Sequence, residues 1–193
     1  MLRVTLDTNC LYDLEEATLH AGPIRDLIAR SERGEIELLV PAISASERQR
    51  GGSLVPTFAQ FQERLARAGL GCARLVQPLG YRGITFWDFC LWADESMARL
   101  ERSVHEVLHP SVEFEYPTYC KARDIDPTSP IDARWRNAKC DVLVVWSHIH
   151  HGGQVLVTRD GDFLKRREKL AQLGAGSVVS PAEGLEVLGS VSG

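Results

Sequence analysis

A short apolar run near the end of the chain is followed at once by a turn that carries two carboxylates. The run is Val155-Leu156-Val157, and the turn is Thr158-Arg159-Asp160-Gly161-Asp162-Phe163. A charged segment typical of a helix comes next. Strand, acidic turn and helix in this order place Asp160 and Asp162 just beyond the carboxyl end of a strand, which is where open α/β sheets bind their ligands.

Further apolar runs predict more strands, at residues 2–6, 36–40, 73–76 and 177–179. The run at 36–40 is continuous rather than alternating, as expected for a strand that is covered on both faces. Between the runs, apolar residues recur at helical spacing. They predict helices from Asp88 to about Leu108 and from Asp132 to His151, the second with a break near Asn137, whereas residues 109–130 are rich in Pro and irregular. We therefore predict an α/β fold, in which a parallel sheet of about five strands lies between helices.

Composition narrows the class of protein. The chain has 193 residues, 44% of them hydrophobic and 25% charged, which fits one soluble domain or one domain with a large insertion. The formal net charge of -4 gives no global attraction for nucleic acid, so a polyanion would need a local basic patch or metal ions.

The cysteines and the apolar runs indicate a cytoplasmic protein. The five cysteines are scattered and form no CxxC pair, which argues against a disulfide framework and a zinc cluster and favours reduced thiols in a cytosol. The chain reaches Asp7 too soon for a signal peptide. No apolar run approaches membrane-spanning length, so we expect no membrane partner.

Three more acids stand where a parallel fold would bring them to the edge that carries Asp160. Asp7 follows the first predicted strand, Glu47 lies in the first turn of a helix after the second, and Asp141 precedes the apolar part of a long helix. Clustered carboxylates repel one another without a cation. Mg²⁺ and Mn²⁺ prefer oxygen ligands, and one or two carboxylates are enough when phosphates complete the shell. We therefore predict a Mg²⁺ or Mn²⁺ site.

Each acid also has a purely structural interpretation. Asp7-Thr8-Asn9 fits a turn, and Ser44-Ala45-Ser46-Glu47 fits a capping box. Asp141 fits a cap or a helix-dipole acid, and Asp160 fits an N-cap. The metal hypothesis depends on all four acids reaching the same edge.

Other catalytic or metal-binding arrangements are less well supported by the sequence. His105 and His109 have the i, i+4 spacing of helical metal ligands, with Glu106 between them, but a convincing third ligand is missing. There is no G-x-S-x-G elbow and no Gly-rich phosphate loop. Zinc chemistry and Ser–His–Asp hydrolysis are therefore not favoured.

The chain resembles the PIN-domain family, compact metal-dependent nucleases that include toxins of many bacterial toxin–antitoxin pairs. The resemblance lies in Val4-Thr5-Leu6-Asp7-Thr8-Asn9, in residues 41–47 and 137–141, and in the stretch 155–163, and it covers about residues 1–50 and 133–190. It implies the same parallel sheet, endoribonuclease activity and an acidic quartet that binds the metal and carries catalysis. By resemblance the quartet is Asp7, Glu47, Asp141 and Asp160, with Asp162 as a further metal ligand and Thr8, Asn9 and Thr158 as supporting residues.

The middle of the chain is longer than in small members of this family. We predict a single PIN-like domain over 1–193, with a core at about 1–80 and 131–193 and a mostly helical or irregular insertion at about 81–130. Basic residues that flank the acids in sequence are candidate phosphate contacts. The candidate RNA contacts are Arg48, Arg134, Arg136, Lys139 and Arg159.

The expected function is hydrolysis of RNA phosphodiester bonds by a Mg²⁺- or Mn²⁺-dependent endoribonuclease. A toxin with an antitoxin protein as partner and a housekeeping enzyme both fit this expectation. The alternatives are a non-catalytic RNA- or protein-binding module of the same fold, and a DNA-directed or structure-specific nuclease. A homodimer is expected only by analogy with small family members.

Overall fold

A single parallel sheet organises the part of the chain that the structure describes. The structure is a computed structural model that describes residues 1–46 and 57–191. Its strands are β1 (Leu2–Leu6), β2 (Ile36–Pro41), β3 (Arg74–Val76), β4 (Val155–Val157) and β5 (Ser177–Val179). They lie in the order β3-β2-β1-β4-β5 and all pair in parallel. The predicted α/β fold is confirmed.

Helices cover both faces of this sheet. They are α1 (Thr8–Glu15), α2 (Ala21–Glu32), α3 (Phe58–Arg67), α4 (Glu95–Leu108), α5 (Tyr116–Arg123), α6 (Ala133–His150), α7 (Gly161–Lys165), α8 (Arg167–Leu170) and α9 (Pro181–Val191). Within the described ranges, no helix has both the length and the apolar character needed to cross a membrane.

Alternate residues of the strands point into two separate cores. Val155 and Val157 pack on one face, with apolar side chains from α1, α2, α3 and α9. Leu156 packs on the other face, against α6 and α4. This alternation follows from the two-residue period of a strand. Both faces of β4 are therefore buried, which explains its uninterrupted apolar sequence.

The segment predicted as an insertion shares a core with α6. Val104 and Leu108 of α4 and Tyr119 of α5 are buried in the same cluster as Trp135 and Val142 of α6. Because these side chains leave water together, α4 and α5 are part of the same packed unit as α6.

Two helical segments differ from the predictions at their ends. The helix expected from about residue 88 begins at Glu95, because Asp94 caps it by accepting a hydrogen bond from the Met97 N–H at 2.8 Å. A short 3-10 turn, Ala42–Ala45, stands where a helix was expected to open at Ser44. Glu47 and Arg48 lie outside the described residues.

Three other helices differ from the predictions in their existence or continuity. Residues 8–15 form a helix that was not predicted, although residues 7–9 also fitted a turn, and α5 lies within the segment that was expected to be irregular. The break expected near Asn137 is absent from α6, which is continuous from Ala133 to His150. Asn137 is exposed, so its low helix propensity is the main cost of keeping it in the helix. The packing of the rest of α6 outweighs that cost.

Candidate active site

The predicted acids of β1 and β4 lie at the point where the strand order reverses. From β1 the chain builds the sheet towards β3, and it then returns to place β4 on the other side of β1. Asp7 directly follows β1, and its N–H donates to the carbonyl of Val157 at 3.0 Å. Asp160 lies three residues beyond the end of β4. Parallel sheets open a crevice at such a switch point.

Asp7 is held by hydrogen bonds at both carboxylate oxygens. Its Oδ1 accepts the Thr8 N–H at 2.7 Å, which makes Asp7 the N-cap of α1. Its Oδ2 accepts the Thr158 hydroxyl at 2.6 Å and the Asn9 amide at 2.5 Å. Asn9 Oδ1 in turn accepts the Arg159 N–H at 3.0 Å. Asn9 and Thr158, which were expected to support the acidic site, thus contact Asp7 directly.

Asp160 also serves as a helix cap. Its Oδ1 accepts the N–H groups of Asp162 at 2.6 Å and Phe163 at 3.1 Å, at the start of α7. Its own N–H donates to Thr158 Oγ1 at 2.9 Å. Asp162 is exposed and pairs with Arg166 at 2.8 Å, and this hydrogen bond lowers the pKa of Asp162.

Asp141 reaches the same region from α6. It lies in the first half of this helix, and its side chain is 33% exposed. Its Oδ2 contacts Nε2 of His109 at 3.0 Å. His109 directly follows α4, so the contact joins the predicted insertion to the acidic site. Sequence reasoning singled out His109 only as half of a disfavoured zinc pair, since nothing in the spacing relates it to Asp141.

The charges of these carboxylates affect one another's pKa. Burial raises the pKa of Asp7 to about 7, the hydrogen bond from Thr158 opposes this, and the charges of Asp141 and Asp160 add to the rise. Burial likewise raises the pKa of Asp141 against the hydrogen bond from His109, and Asp160 contributes repulsion there too. Acids from three elements therefore repel one another at one edge of the sheet.

Such a set of carboxylates fits a divalent cation in its chemistry. A cation would offset both the burial and the repulsion that disfavour the charged forms of Asp7 and Asp141. Among the residues that the structure describes, no three Asp, Glu, His or Cys side chains already stand close enough together to hold a metal. Glu47 lies outside that part of the chain. Because Mg²⁺ retains several waters, one or two of these carboxylates would suffice to bind it.

The predicted RNA contacts divide into exposed and buried residues. Arg134 is exposed at the start of α6. Arg136 is buried and donates to the carbonyls of Ser46 and Gly83. Lys139 is 1% exposed and inaccessible to a polymer on the surface. The expectation that Arg136 and Lys139 contact RNA is therefore wrong, because both side chains face the core of the protein.

A buried acid that sequence reasoning missed fixes the turn after β4. Asp13 of α1 is fully buried, and its carboxylate accepts from the guanidinium of Arg159 and, at 2.5 Å, from the Thr18 hydroxyl. Arg159 is thus tied to α1 by its side chain and by its backbone. An isolated Asp in a helix carries no sequence signal for such a partner 146 positions away.

Comparison with known proteins assigns no family. No family model matches the chain, and no curated protein matches it. Among solved structures, it is similar to the crystal structure of VapBC2 from Rickettsia felis bound to a DNA fragment from their promoter. The TM-score is 0.42 at 14% identity, over 92% of this chain and 97% of that chain. The function of this chain must therefore be inferred from its own residues.

Proposed function

We propose that the protein is a divalent-metal-dependent nuclease that hydrolyses phosphodiester bonds in RNA, with Mg²⁺ or Mn²⁺ as its metal. The supporting observation is that Asp7, which follows β1 where the strand order reverses, and Asp141 both have a raised pKa, to which the charge of Asp160 contributes in each case. Like charges held near one another are a cost to stability unless a cation or a charged substrate offsets their repulsion.

The chain's own residues would hold and orient the metal and the RNA. Asp7, Asp141 and Asp160 are its proposed ligands, and Glu47 and Asp162 are further candidates. A bound divalent metal lowers the pKa of a coordinated water and neutralises charge that develops on the phosphate. Thr158 and Asn9 fix the rotamer of Asp7 through their hydrogen bonds to Oδ2, and Thr8 supports it through its N–H. Arg134 is an exposed cation available to a backbone phosphate.

Asp141→Asn is the most informative single variant for this function. Asp141 caps no helix, and its side chain is partly exposed, so an isosteric amide removes the charge without removing a structural hydrogen bond to the backbone. Asp7→Asn is the second variant, because an amide oxygen can still cap α1.

The experiment is cleavage of a panel of structured RNA, single-stranded RNA and single-stranded DNA, with EDTA, Mg²⁺ or Mn²⁺. We expect metal-dependent cutting of RNA by the wild type and loss of cutting in both variants, with melting temperatures confirming that each is folded. Asp26→Asn is the control, because Asp26 is an exposed acid on α2 that has no part in the proposed site. Cutting that persists in both Asp7→Asn and Asp141→Asn would overturn the assignment of the site. Preferential cutting of DNA would overturn the assignment of the substrate.

The toxin hypothesis is a finer proposal, motivated by the family resemblance of the sequence, and it includes an antitoxin protein as partner. Induced expression of the wild type should then arrest growth, while expression of Asp141→Asn should not. Normal growth with an enzyme that cuts RNA in vitro would instead indicate a housekeeping role.

A further inference from the structure

The predicted insertion brings one side chain to an acid of the proposed site. His109 follows the last residue of α4, and its Nε2 lies 3.0 Å from Asp141 Oδ2. An ionised carboxylate can only accept hydrogen bonds, so the imidazole Nε2 is the donor in this pair. A contact across 32 positions of sequence exists only because α4 packs on α6.

The backbone around His109 is fixed by local hydrogen bonds. The His109 N–H donates to the His105 carbonyl at 2.7 Å, and the Val112 N–H donates to the His109 carbonyl at 3.0 Å. The ring of His105 holds the same turn from inside, with Nε2 at 2.7 Å from the Val112 carbonyl. His109 therefore projects from a closed turn, which limits its freedom before any ligand binds.

A buried ion pair anchors α4 to the helix that carries Asp141. Lys139 donates to Glu101 at 2.7 Å, and the two side chains are 1% and 4% exposed. The Lys139 ammonium also lies 4.1 Å from the ring centroid of Phe114 and 4.5 Å from that of Tyr81. Because Lys139 and Asp141 lie two residues apart on α6, this anchor acts directly beside the His109 contact.

We propose that His109 is a positioning residue of the acidic site, which holds the Asp141 carboxylate for the divalent metal. This inference rests on the proposed function and extends it, because it makes the predicted insertion part of the site. A carboxylate that ligates a metal is commonly oriented by a hydrogen bond to its other oxygen, and loss of such a partner typically weakens metal binding by about 10- to 100-fold.

The test measures metal binding rather than cleavage. Mn²⁺ is titrated into the wild type, His109→Leu and His109→Gln, and free Mn²⁺ is followed by electron paramagnetic resonance. His109→Leu removes the donor, and we expect about 10- to 100-fold weaker binding. His109→Gln retains an N–H donor near the position of Nε2, and we expect binding within about 3-fold of the wild type. His150→Leu, at the C-terminal end of α6 and nine residues beyond Asp141, is the matched control and should bind as the wild type does.

The same substitution in a protein that lacks the Asp141 carboxylate tests whether His109 acts through Asp141. If His109 acts through Asp141, His109→Leu should cause no further loss of Mn²⁺ affinity in an Asp141→Asn protein. A further loss in that background would overturn the positioning role and indicate that His109 contacts the metal itself. Melting curves of each variant exclude a general loss of folding, and His109→Ala, which also removes the donor, provides the test if the Leu variant does not fold.

The outcomes also separate this inference from the proposed function. Wild type that binds Mn²⁺ but cuts nothing would refute the nuclease and leave the positioning role supported by affinity alone. Equal Mn²⁺ affinity of wild type and His109→Leu would refute the positioning role while cleavage data still support the nuclease. Wild type that binds no Mn²⁺ would refute both.

Discussion

Thr158 donates its hydroxyl hydrogen to Asp7 at 2.6 Å, so the residue that follows β4 holds the acid that follows β1. The same oxygen accepts the Asp160 N–H at 2.9 Å. One hydroxyl group therefore sets the positions of two proposed metal ligands relative to each other.

Replacement of Thr158 by Val should destabilise the protein and raise the pKa of Asp7 further. The side chain is fully buried, and the loss of a hydrogen bond to a charged group typically costs about 1–3 kcal/mol. Urea unfolding measures the stability, and the pH dependence of Mn²⁺ binding measures the shift. Thr128→Val is the control, because that exposed hydroxyl also bonds a carboxylate. Equal effects of the two substitutions would contradict the proposed role of Thr158.

The stability of the metal-free protein should depend on the proton of Asp7. Its pKa is about 7 in the fold, against an ordinary value of 3.8. The folded state therefore keeps a proton that the unfolded chain has lost, and this stabilisation is present below the ordinary pKa and disappears as the pH rises through about 7. The change is at most about 1.4 kcal/mol per pH unit.

Subtraction of Asp7→Asn isolates this effect. His148 changes stability in the opposite direction, because burial lowers its pKa to about 4, so that its stabilising contribution declines as the pH falls below its ordinary value. The free energy of unfolding is measured in EDTA at several pH values for both proteins. The free energy of unfolding of the wild type minus that of Asp7→Asn should fall as the pH rises. Saturating Mn²⁺ should reverse that trend. A flat difference would show that Asp7 titrates normally.

Gly153→Ala should destabilise the core strongly through His148. The His148 ring is fully buried, with Nδ1 accepting from Thr5 at 2.7 Å and Nε2 donating to the Ala175 carbonyl at 2.8 Å. A Cβ at position 153 would overlap this ring and lie 2.9 Å from the His148 carbonyl oxygen. Overpacking of this kind typically costs about 1–3 kcal/mol or more. Gly189→Ala on α9 meets nothing within 4 Å and should instead stabilise by about 0.5–1 kcal/mol. Similar melting temperatures for both would contradict this packing.

Lys139→Met should destabilise the protein and loosen α4. Removal of one partner from a buried pair leaves the charge of Glu101 uncompensated, at a typical cost of about 3–5 kcal/mol. Hydrogen exchange should rise over residues 95–112. The double variant with Glu101→Leu should recover much of the loss. Arg99→Met, which breaks an exposed pair on the same helix, should cost less than about 1 kcal/mol.

Arg134 should contribute to RNA affinity through charge alone. Arg134→Ala is expected to weaken binding and to reduce the slope of log affinity against log salt concentration by about one. Arg33→Ala is the control, because Arg33 precedes β2 and lies at the opposite edge of the sheet. An unchanged slope for Arg134→Ala would exclude a phosphate contact at that position.

The sheet and the edge that carries the acids could be predicted from sequence because both follow from local pattern. Strands buried on both faces have continuous apolar runs, and Asp160 follows one of them directly. The α1 helix could not be predicted in the same way. Residues 7–9 are equally typical of a turn, and only the burial of Cys10, Leu11 and Leu14 against the sheet favours a helix.

The environment of the basic residues was unpredictable for a different reason. Lys139 lies among charged residues in sequence, but the partner that makes its burial tolerable, Glu101, is 38 positions away. The same holds for His109 and Asp141. The sequence identifies the ionisable residues, but the packing of α4 on α6 determines which of these side chains are exposed to solvent.

The capping bonds of Asp7 and Asp160 mean that each acid has two separate reasons to be retained during evolution. A descendant without the proposed activity would still need an oxygen at both positions to begin α1 and α7. Asp141 caps nothing in the structure. If the proposed activity holds, loss of the acid at position 141 among relatives of this chain would therefore be the earliest sign of its loss, while the acids at positions 7 and 160 would persist as helix caps.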